Sequence, residues 1–231
     1  MAQFFVKCIG SYFVWSLIAM ISGNVHAQEC PLEKQMGELG LVVLKKEIPG
    51  ILVDLRYSGS NNFIGKDLYG CMTVAYAQPL LVNKLKKAAE ILHKTHPEFN
   101  FLVYDAARPL QCQWALWNAL KLPDSQKPTY VADPRRGSIH NFGCAIDISI
   151  ADAKGQELDM GTGFDYFGEL AHPRHEQRLL KAGKLSKIQV DNRRLLRNCM
   201  TQAGFTATTS EWWHFNACSL KQAKKQWKII P

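Results

Sequence analysis

Two short segments of this 231-residue chain carry residue types that can hold and use a metal ion. In the first, His140 and Asp147 lie seven positions apart, and the aspartate falls within an alternating apolar segment. In the second, Glu211 precedes His214 by three positions, with two tryptophans between them. A catalytic zinc site takes three protein ligands and leaves a fourth position for water. The pattern therefore predicts that His140, Asp147 and His214 bind zinc, and the spacing alone leaves a structural role for these residues equally open.

Glu211 is the acid that remains once the three ligands are assigned. Zinc lowers the pKa of a bound water towards about 7, and a nearby carboxylate can take its proton and pass it to a leaving amine. The alternative is that Glu211 only orients His214. Residues three apart in a regular strand point to opposite faces, so a shared site requires a bulge or the end of the strand.

Arg108 lies between a predicted strand, 99–105, and a predicted helix, 110–121, in an otherwise apolar segment. A guanidinium in this place can stabilise the oxyanion that forms when water attacks a carbonyl. It can equally form a salt bridge with Asp105 that holds the fold. The sequence leaves both interpretations open.

The remaining elements predict an α+β fold, a single domain with a largely antiparallel sheet flanked by helices. Apolar residues recur at helical spacing over 79–95, and two further helices are predicted near 174–182 and 191–203. Strands are predicted at 41–44, 51–57, 143–150 and the end of 205–215, with a long loop over 122–138. Helices and strands mix without a steady βαβ rhythm, which argues against a doubly wound sheet.

The first 27 residues resemble a secretory signal. Lys7 precedes an apolar stretch, 9–21, and small residues follow up to Ala27. The stretch is shorter than the roughly 18 residues that a membrane span needs, so we expect cleavage near Ala27, no stable membrane insertion afterwards, and export to the periplasm. The mature domain is then 28–231.

Composition and cysteine content are consistent with an exported globular protein. The chain has 28 Lys and Arg against 20 acids, a formal charge of +8, but no basic run interleaved with aromatics, so no nucleic-acid partner is expected. Six cysteines follow residue 27 and permit 15 disulfide pairings, among which the sequence does not choose. Cys144 near His140 could form a nucleophilic pair, but its alternation with Ile146 and Ile148 favours a structural role.

These segments resemble the D-alanyl-D-alanine dipeptidases, a family of zinc peptidases. The metal motifs are Ser138-x-His140-x-x-Gly143-x-Ala145-x-Asp147 and Glu211-x-Trp213-His214. The likeness extends through Asp54-Leu55-Arg56-Tyr57 with Asn62-Phe63-x-Gly65, Asp105-Ala106-x-Arg108-Pro109, and Gly161-x-x-Phe164-Asp165. The metal motifs alone are shared with D,D-carboxypeptidases and with Hedgehog signalling domains, so the resemblance implies a fold of that type.

The resemblance also implies roles for individual residues. It implies one zinc per chain, Glu211 as general base and acid, and Arg108 as stabiliser of the transition state. Tyr57, Ser138 and Asp165 are the counterparts of the residues that bind the free amino terminus of the dipeptide. The implied reaction is hydrolysis of D-Ala-D-Ala, or a near relative, into free D-amino acids. An exported form is expected to act in the turnover of cell-wall dipeptides.

Two other functions stay open at this point. One is a D,D-carboxypeptidase or endopeptidase that acts on longer peptidoglycan peptides. The other is a zinc-stabilised module that binds wall peptides without cleaving them, although such a module needs neither Glu211 nor Arg108. Specificity for the second residue of the substrate, a contribution to glycopeptide resistance and the oligomeric state also stay open.

Overall fold

The structure, a computed structural model, describes residue 1 and residues 30–231. The predicted signal segment, apart from Met1, lies outside the described residues, so its cleavage stays a prediction. Within the described part of the chain, none of the helices combines the length and the apolar character that a membrane crossing requires.

Helices and strands alternate irregularly along the described residues, and this mixture confirms the predicted α+β class. The α-helices are Pro31–Glu38 (α1), Leu44–Glu47 (α2), Pro79–Thr95 (α3), Leu110–Ala119 (α4), Glu176–Lys181 (α5), Lys187–Gln202 (α6) and Leu220–Gln226 (α7). The strands are Val42–Val43 (β1), Leu52–Val53 (β2), Tyr76–Ala77 (β3), Asn100–Asp105 (β4), Ala145–Ala151 (β5), Thr206–Ala207 (β6) and His214–Asn216 (β7).

A five-stranded sheet in the order β2-β4-β5-β7-β6 forms the centre of the domain. Its β2–β4 pair is parallel, and its other three pairs are antiparallel. On the three central strands, Asp147 pairs with Asp105 on one side and with His214 on the other. The sheet itself therefore brings together polar residues that are far apart in the sequence.

Strand β5 is buried along its whole length. The isoleucines of its apolar face, Ile146, Ile148 and Ile150, belong to the main hydrophobic core, and α6 packs against the strand. Asp147, on the alternate face, lines a cavity. The alternation read from the sequence thus separates a core face from a functional face.

Cys144 lies just before β5, in a small apolar cluster with Phe142 and Ala223. Burial raises the pKa of its thiol, whereas a nucleophilic cysteine needs a lowered pKa. The position and the pKa therefore agree with the structural role. Cys30 and Cys71 form a disulfide, and among the described cysteines Cys112, Cys144, Cys199 and Cys218 are free.

Several predicted boundaries were wrong. The predicted strand 51–57 ends at Val53, because the carbonyl of Tyr57 accepts hydrogen bonds from the amides of Leu68 and Tyr69, which draws the chain into a 3₁₀ turn at Arg56–Ser58. The predicted strand 41–44 is also shorter, since Leu44 opens α2.

The predicted helix boundaries also differ from those of the structure. The helix predicted at 191–203 begins at Lys187, because Ser186 and Gln189 form a capping box. The helix predicted at 174–182 is a 3₁₀ turn followed by Glu176–Lys181. Helix 110–121 ends two residues early, at Ala119.

Candidate active site

The three predicted zinc ligands converge on one point, with their ligand atoms all within 4.8 Å of one another. His214 Nδ1 lies 2.9 Å and His140 Nε2 lies 3.4 Å from Asp147 Oδ1. The two ring nitrogens are 3.2 Å apart. His140 and Asp147 are buried, and His214 is partly buried.

Each histidine is oriented by an oxygen on the far side of its ring. His140 Nδ1 lies 2.7 Å from the carbonyl oxygen of Ala106, and His214 Nε2 lies 2.9 Å from Asn216 Oδ1. Because these oxygens only accept, the facing nitrogens donate, which leaves His140 Nε2 and His214 Nδ1, on the side of Asp147, as the nitrogens available to a metal ion. Two imidazole nitrogens and a carboxylate, each oriented from behind, fit a zinc ion.

The charges of the three groups favour a cation between them. Burial alone would raise the pKa of Asp147, but the adjacent His140 and His214 hold it well below its usual range. Burial would lower the pKa of His214, but the hydrogen bond and charge of Asp147 outweigh it and raise this pKa to about 9. The buried carboxylate of Asp147 thus remains ionised and stabilises positive charge beside it.

The loop that carries His140 is held by its own hydrogen bonds. His140 lies in a 3₁₀ turn, Ile139–Phe142, capped reciprocally by Ser138 and Asn141. Gly143 ends the turn at φ +66°, where a Cβ would lie only 2.6 Å from the side chain of Leu41. Asn141 Nδ2 also donates to the carbonyl oxygen of Arg108, at 2.8 Å. This turn therefore fixes His140 and Arg108 relative to each other.

Glu211 lies in the loop before β7, and the strand begins only at His214. Because Glu211 lies outside the strand, it need not point to the face opposite His214, and both side chains line the same cavity. Burial raises the pKa of Glu211 to about 7, against the lowering effect of the positive charges of His214 and Arg108. No group of the described residues forms a hydrogen bond with its carboxylate. Asn216, rather than Glu211, contacts the second nitrogen of His214, so the orienting role falls to a residue that the sequence analysis missed.

Arg108 forms the salt bridge that the sequence left open, and it also lines the cavity, so its role towards an oxyanion stays a prediction. It forms the salt bridge with buried Asp105, from Nε at 2.8 Å and from Nη2 at 2.7 Å, and it donates from Nη1 to Gln113 at 2.9 Å. Nη2 also lies 3.5 Å from Asp147 Oδ2. These contacts occupy four of the five N–H groups of a guanidinium. The fifth, on Nη1, has no partner among the described residues, and Arg108 lines the cavity.

The cavity, of about 320 Å³, is lined by all eight predicted site residues. These are Tyr57, Arg108, Ser138, His140, Asp147, Asp165, Glu211 and His214. Its volume is at the small end of the range of about 300–1,000 Å³ typical of ligand pockets.

Asp165 has two features that are common at functional positions. Its φ of +60° is unusual for a residue other than glycine. Burial, with the negative charge of Asp147, raises the pKa of its carboxyl to about 8. Tyr57 donates its hydroxyl to both carboxyl oxygens at 3.1 Å. Asp165 and Tyr57 therefore form a joined polar pair in the cavity wall.

Comparison with known proteins places the chain in a family. Residues 37–228 match the peptidase M15 family, described as D-ala-D-ala dipeptidase. A protein named D-alanyl-D-alanine dipeptidase from Escherichia coli (strain K12) is 37% identical over 76% of this chain and 83% of its own length. One of the same name from Enterococcus faecium is 30% identical over 77% of this chain and 91% of its own length. The chain belongs to the peptidase M15 family and is a metallopeptidase.

Proposed function

We propose that this protein hydrolyses D-alanyl-D-alanine, or a close D,D-dipeptide, using one zinc ion bound by His140, Asp147 and His214. The observation that carries the proposal is a single small cavity that contains this ligand set, the carboxylate of Glu211 and the acid of Asp165. The relatives from Escherichia coli and Enterococcus faecium are named for this substrate.

Asp165 is suited to bind the free amino terminus of a dipeptide. An ammonium group that enters the cavity would lower the pKa of the Asp165 carboxyl, because an opposite charge favours the ionised form. The carboxyl would then bind the ammonium as an anion, while Tyr57 continues to donate to it. The buried hydroxyl of Ser138, in the same cavity wall, offers a further acceptor. Recognition by charge favours a substrate with a free amine.

Glu211 and Arg108 are placed to assist attack on the peptide carbonyl. When bound, zinc supplies Lewis acidity that polarises the carbonyl and lowers the pKa of water. Glu211 accepts a proton from the attacking water and returns it to the amine of the departing residue, so the carboxylate is regenerated. The guanidinium of Arg108, which lines the same cavity, stabilises the oxyanion. One water is consumed, one C–N bond breaks, and two free D-amino acids leave.

We further propose that the protein works outside the cytoplasm, in the periplasm, on dipeptides from the cell wall. The signal-like pattern of residues 1–27 supports this location. The Cys30–Cys71 disulfide supports it as well, because disulfides persist in oxidising compartments. Detection of the mature chain, beginning near residue 28, in a periplasmic extract would test the location.

Cleavage of free D-Ala-D-Ala by the zinc-loaded protein, compared with cleavage of N-acetyl-D-Ala-D-Ala, tests the substrate. The proposal predicts hydrolysis of the free dipeptide only, because acetylation removes the ammonium that Asp165 binds. Equal cleavage of both would favour a carboxypeptidase of longer peptides. Binding of both without hydrolysis would favour a non-catalytic module.

A further inference from the structure

Three aromatic rings from three separate loops meet at one side of the cavity. Phe167 packs edge-on against Phe63, with ring centroids 4.8 Å apart, and against Tyr130, with centroids 5.1 Å apart. All three rings line the cavity. Phe167, the central ring, is 38% exposed, so the cluster is not simply part of the core. We call these three residues the aromatic rim.

The aromatic rim is close to Asp165 through Phe167, because the two residues belong to one loop and both line the cavity. Phe167 follows Asp165 by two positions in one loop, whereas two of the three proposed zinc ligands are deeply buried, with 2% exposure for His140 and 3% for Asp147. The cavity thus extends from a polar, buried floor to a partly exposed aromatic edge. A substrate whose carbonyl lies at the floor and whose ammonium lies at Asp165 has its amino terminus next to the rim.

The loop that carries Phe167 is fixed at both ends. Buried Arg193 of α6 donates to the carbonyl oxygen of Met160 at 2.6 Å and to that of Leu170 at 2.8 Å. Asn192 and Gln189, also on α6, bind the backbone and the carboxylate of Asp159. The backbone on either side of Phe167 is therefore held at Met160 and at Leu170, which fixes the two ends of the loop that presents the ring.

We propose that the aromatic rim sets the length of the substrate by occupying the space beyond the amino terminus of a dipeptide. This inference rests on the proposed function and adds the residues that limit the substrate. A further residue on the amino side would displace the ammonium from Asp165. It would also press a peptide group against three rings that offer few hydrogen-bond partners, which is costly. Phe167 is the decisive residue, because it contacts both other rings.

The ratio of kcat/KM for tri-D-alanine to that for D-Ala-D-Ala, with release of the carboxyl-terminal D-Ala measured in both cases, tests the proposal. The variants are Phe167→Ala, Phe167→Leu and the control Tyr166→Ala, which removes an exposed ring of the same loop that does not line the cavity. We expect Phe167→Ala to raise the ratio at least about tenfold, the effect of a modest change in pocket size. Phe167→Leu should give a smaller rise and Tyr166→Ala none.

Four other outcomes would overturn the role of the aromatic rim, and the last of them would also refute the proposed function. An unchanged ratio in a folded Phe167→Ala protein that still cleaves the dipeptide would overturn the rim assignment and leave the proposed function standing. A parent that cleaves both substrates equally well would do the same. Loss of both activities in folded Phe167→Ala and Phe167→Leu would assign the ring to positioning Asp165 and would also overturn it. Failure of the zinc-loaded parent to cleave the dipeptide would refute the proposed function and the rim together.

Discussion

Replacement of Asp165 by asparagine tests the recognition of the substrate ammonium. Asparagine keeps the size of the side chain, tolerates the left-handed φ of +60°, and retains an acceptor for Tyr57. It removes only the negative charge. Loss of one partner of a buried charge pair costs about 2–5 kcal/mol, and Asp165 is only partly buried, so the lower part of that range applies. A cost of about 2 kcal/mol corresponds to a roughly 30-fold weaker interaction.

The expected result for Asp165→Asn is a rise in KM for D-Ala-D-Ala of about 30-fold, with kcat changed much less. Steady-state kinetics with quantified D-Ala measure this split, and Tyr166→Ala serves as a control on the same loop. An unchanged KM in a folded, zinc-loaded variant would show that Asp165 does not bind the ammonium. A fall in kcat with an unchanged KM would assign it to the chemical step instead.

Asp165→Asn should also change how the free energy of unfolding depends on pH. The carboxyl of Asp165 has a pKa of about 8 in the folded protein and about 3.9 in an unfolded chain. The folded state therefore holds the proton more tightly, and the metal-free parent should lose stability as pH rises from about 4 through about 8. Asp165→Asn removes this contribution to the loss of stability with rising pH. Urea unfolding of both metal-free proteins at pH 6 and pH 9 measures this difference. An equal change in the free energy of unfolding between the two pH values in parent and variant would contradict the raised pKa.

Three further predictions concern other parts of the structure. Glu211→Gln should lower kcat by about 10²–10⁴-fold with the zinc content unchanged, as measured by kinetics and metal analysis; a loss of zinc would instead indicate a ligand role. Because the pKa of Glu211 is raised to about 7 and a base must be ionised, kcat/KM should fall as pH decreases, with a midpoint between about 5 and about 7, since a nearby zinc ion also stabilises the carboxylate; a flat profile down to pH 5 would exclude this assignment. Reduction of Cys30–Cys71, which spans 41 residues, should lower the free energy of unfolding by about 4 kcal/mol, as measured in urea with and without reductant; equal midpoints would contradict this.

The convergence of His140, Asp147 and His214 was predictable because the candidate metal-binding chemistry is local to two short segments. Few residue types bind zinc, and an alternating apolar strand fixes the face on which Asp147 lies. The positions of Glu211 and His214 also followed, once the strand was allowed to end between them. The pairing of Asp147 with both Asp105 and His214 was not predictable, because strand order depends on contacts distant in sequence.

The groups that orient the histidines show the same limit. Asn216 lies two positions after His214, on the same face of β7, and this spacing was the only available signal. The carbonyl of Ala106, which holds His140, carries no side-chain signal at all. The strands β1 and β2 were predicted to be longer than they are for a related reason. An apolar run alone does not show where tertiary hydrogen bonds turn the chain. The disulfide partner of Cys30 was equally hidden in the sequence.

Metal-dependent cleavage of D-Ala-D-Ala is the most direct test of the account. The purified protein would be assayed for bound zinc and for release of D-Ala, then after removal of the metal with a chelator, and again after zinc is restored. The proposed function predicts one zinc per chain, loss of hydrolysis on chelation and its recovery with zinc. Full hydrolysis by the metal-free protein, or a zinc-loaded protein that leaves D-Ala-D-Ala intact, would contradict it.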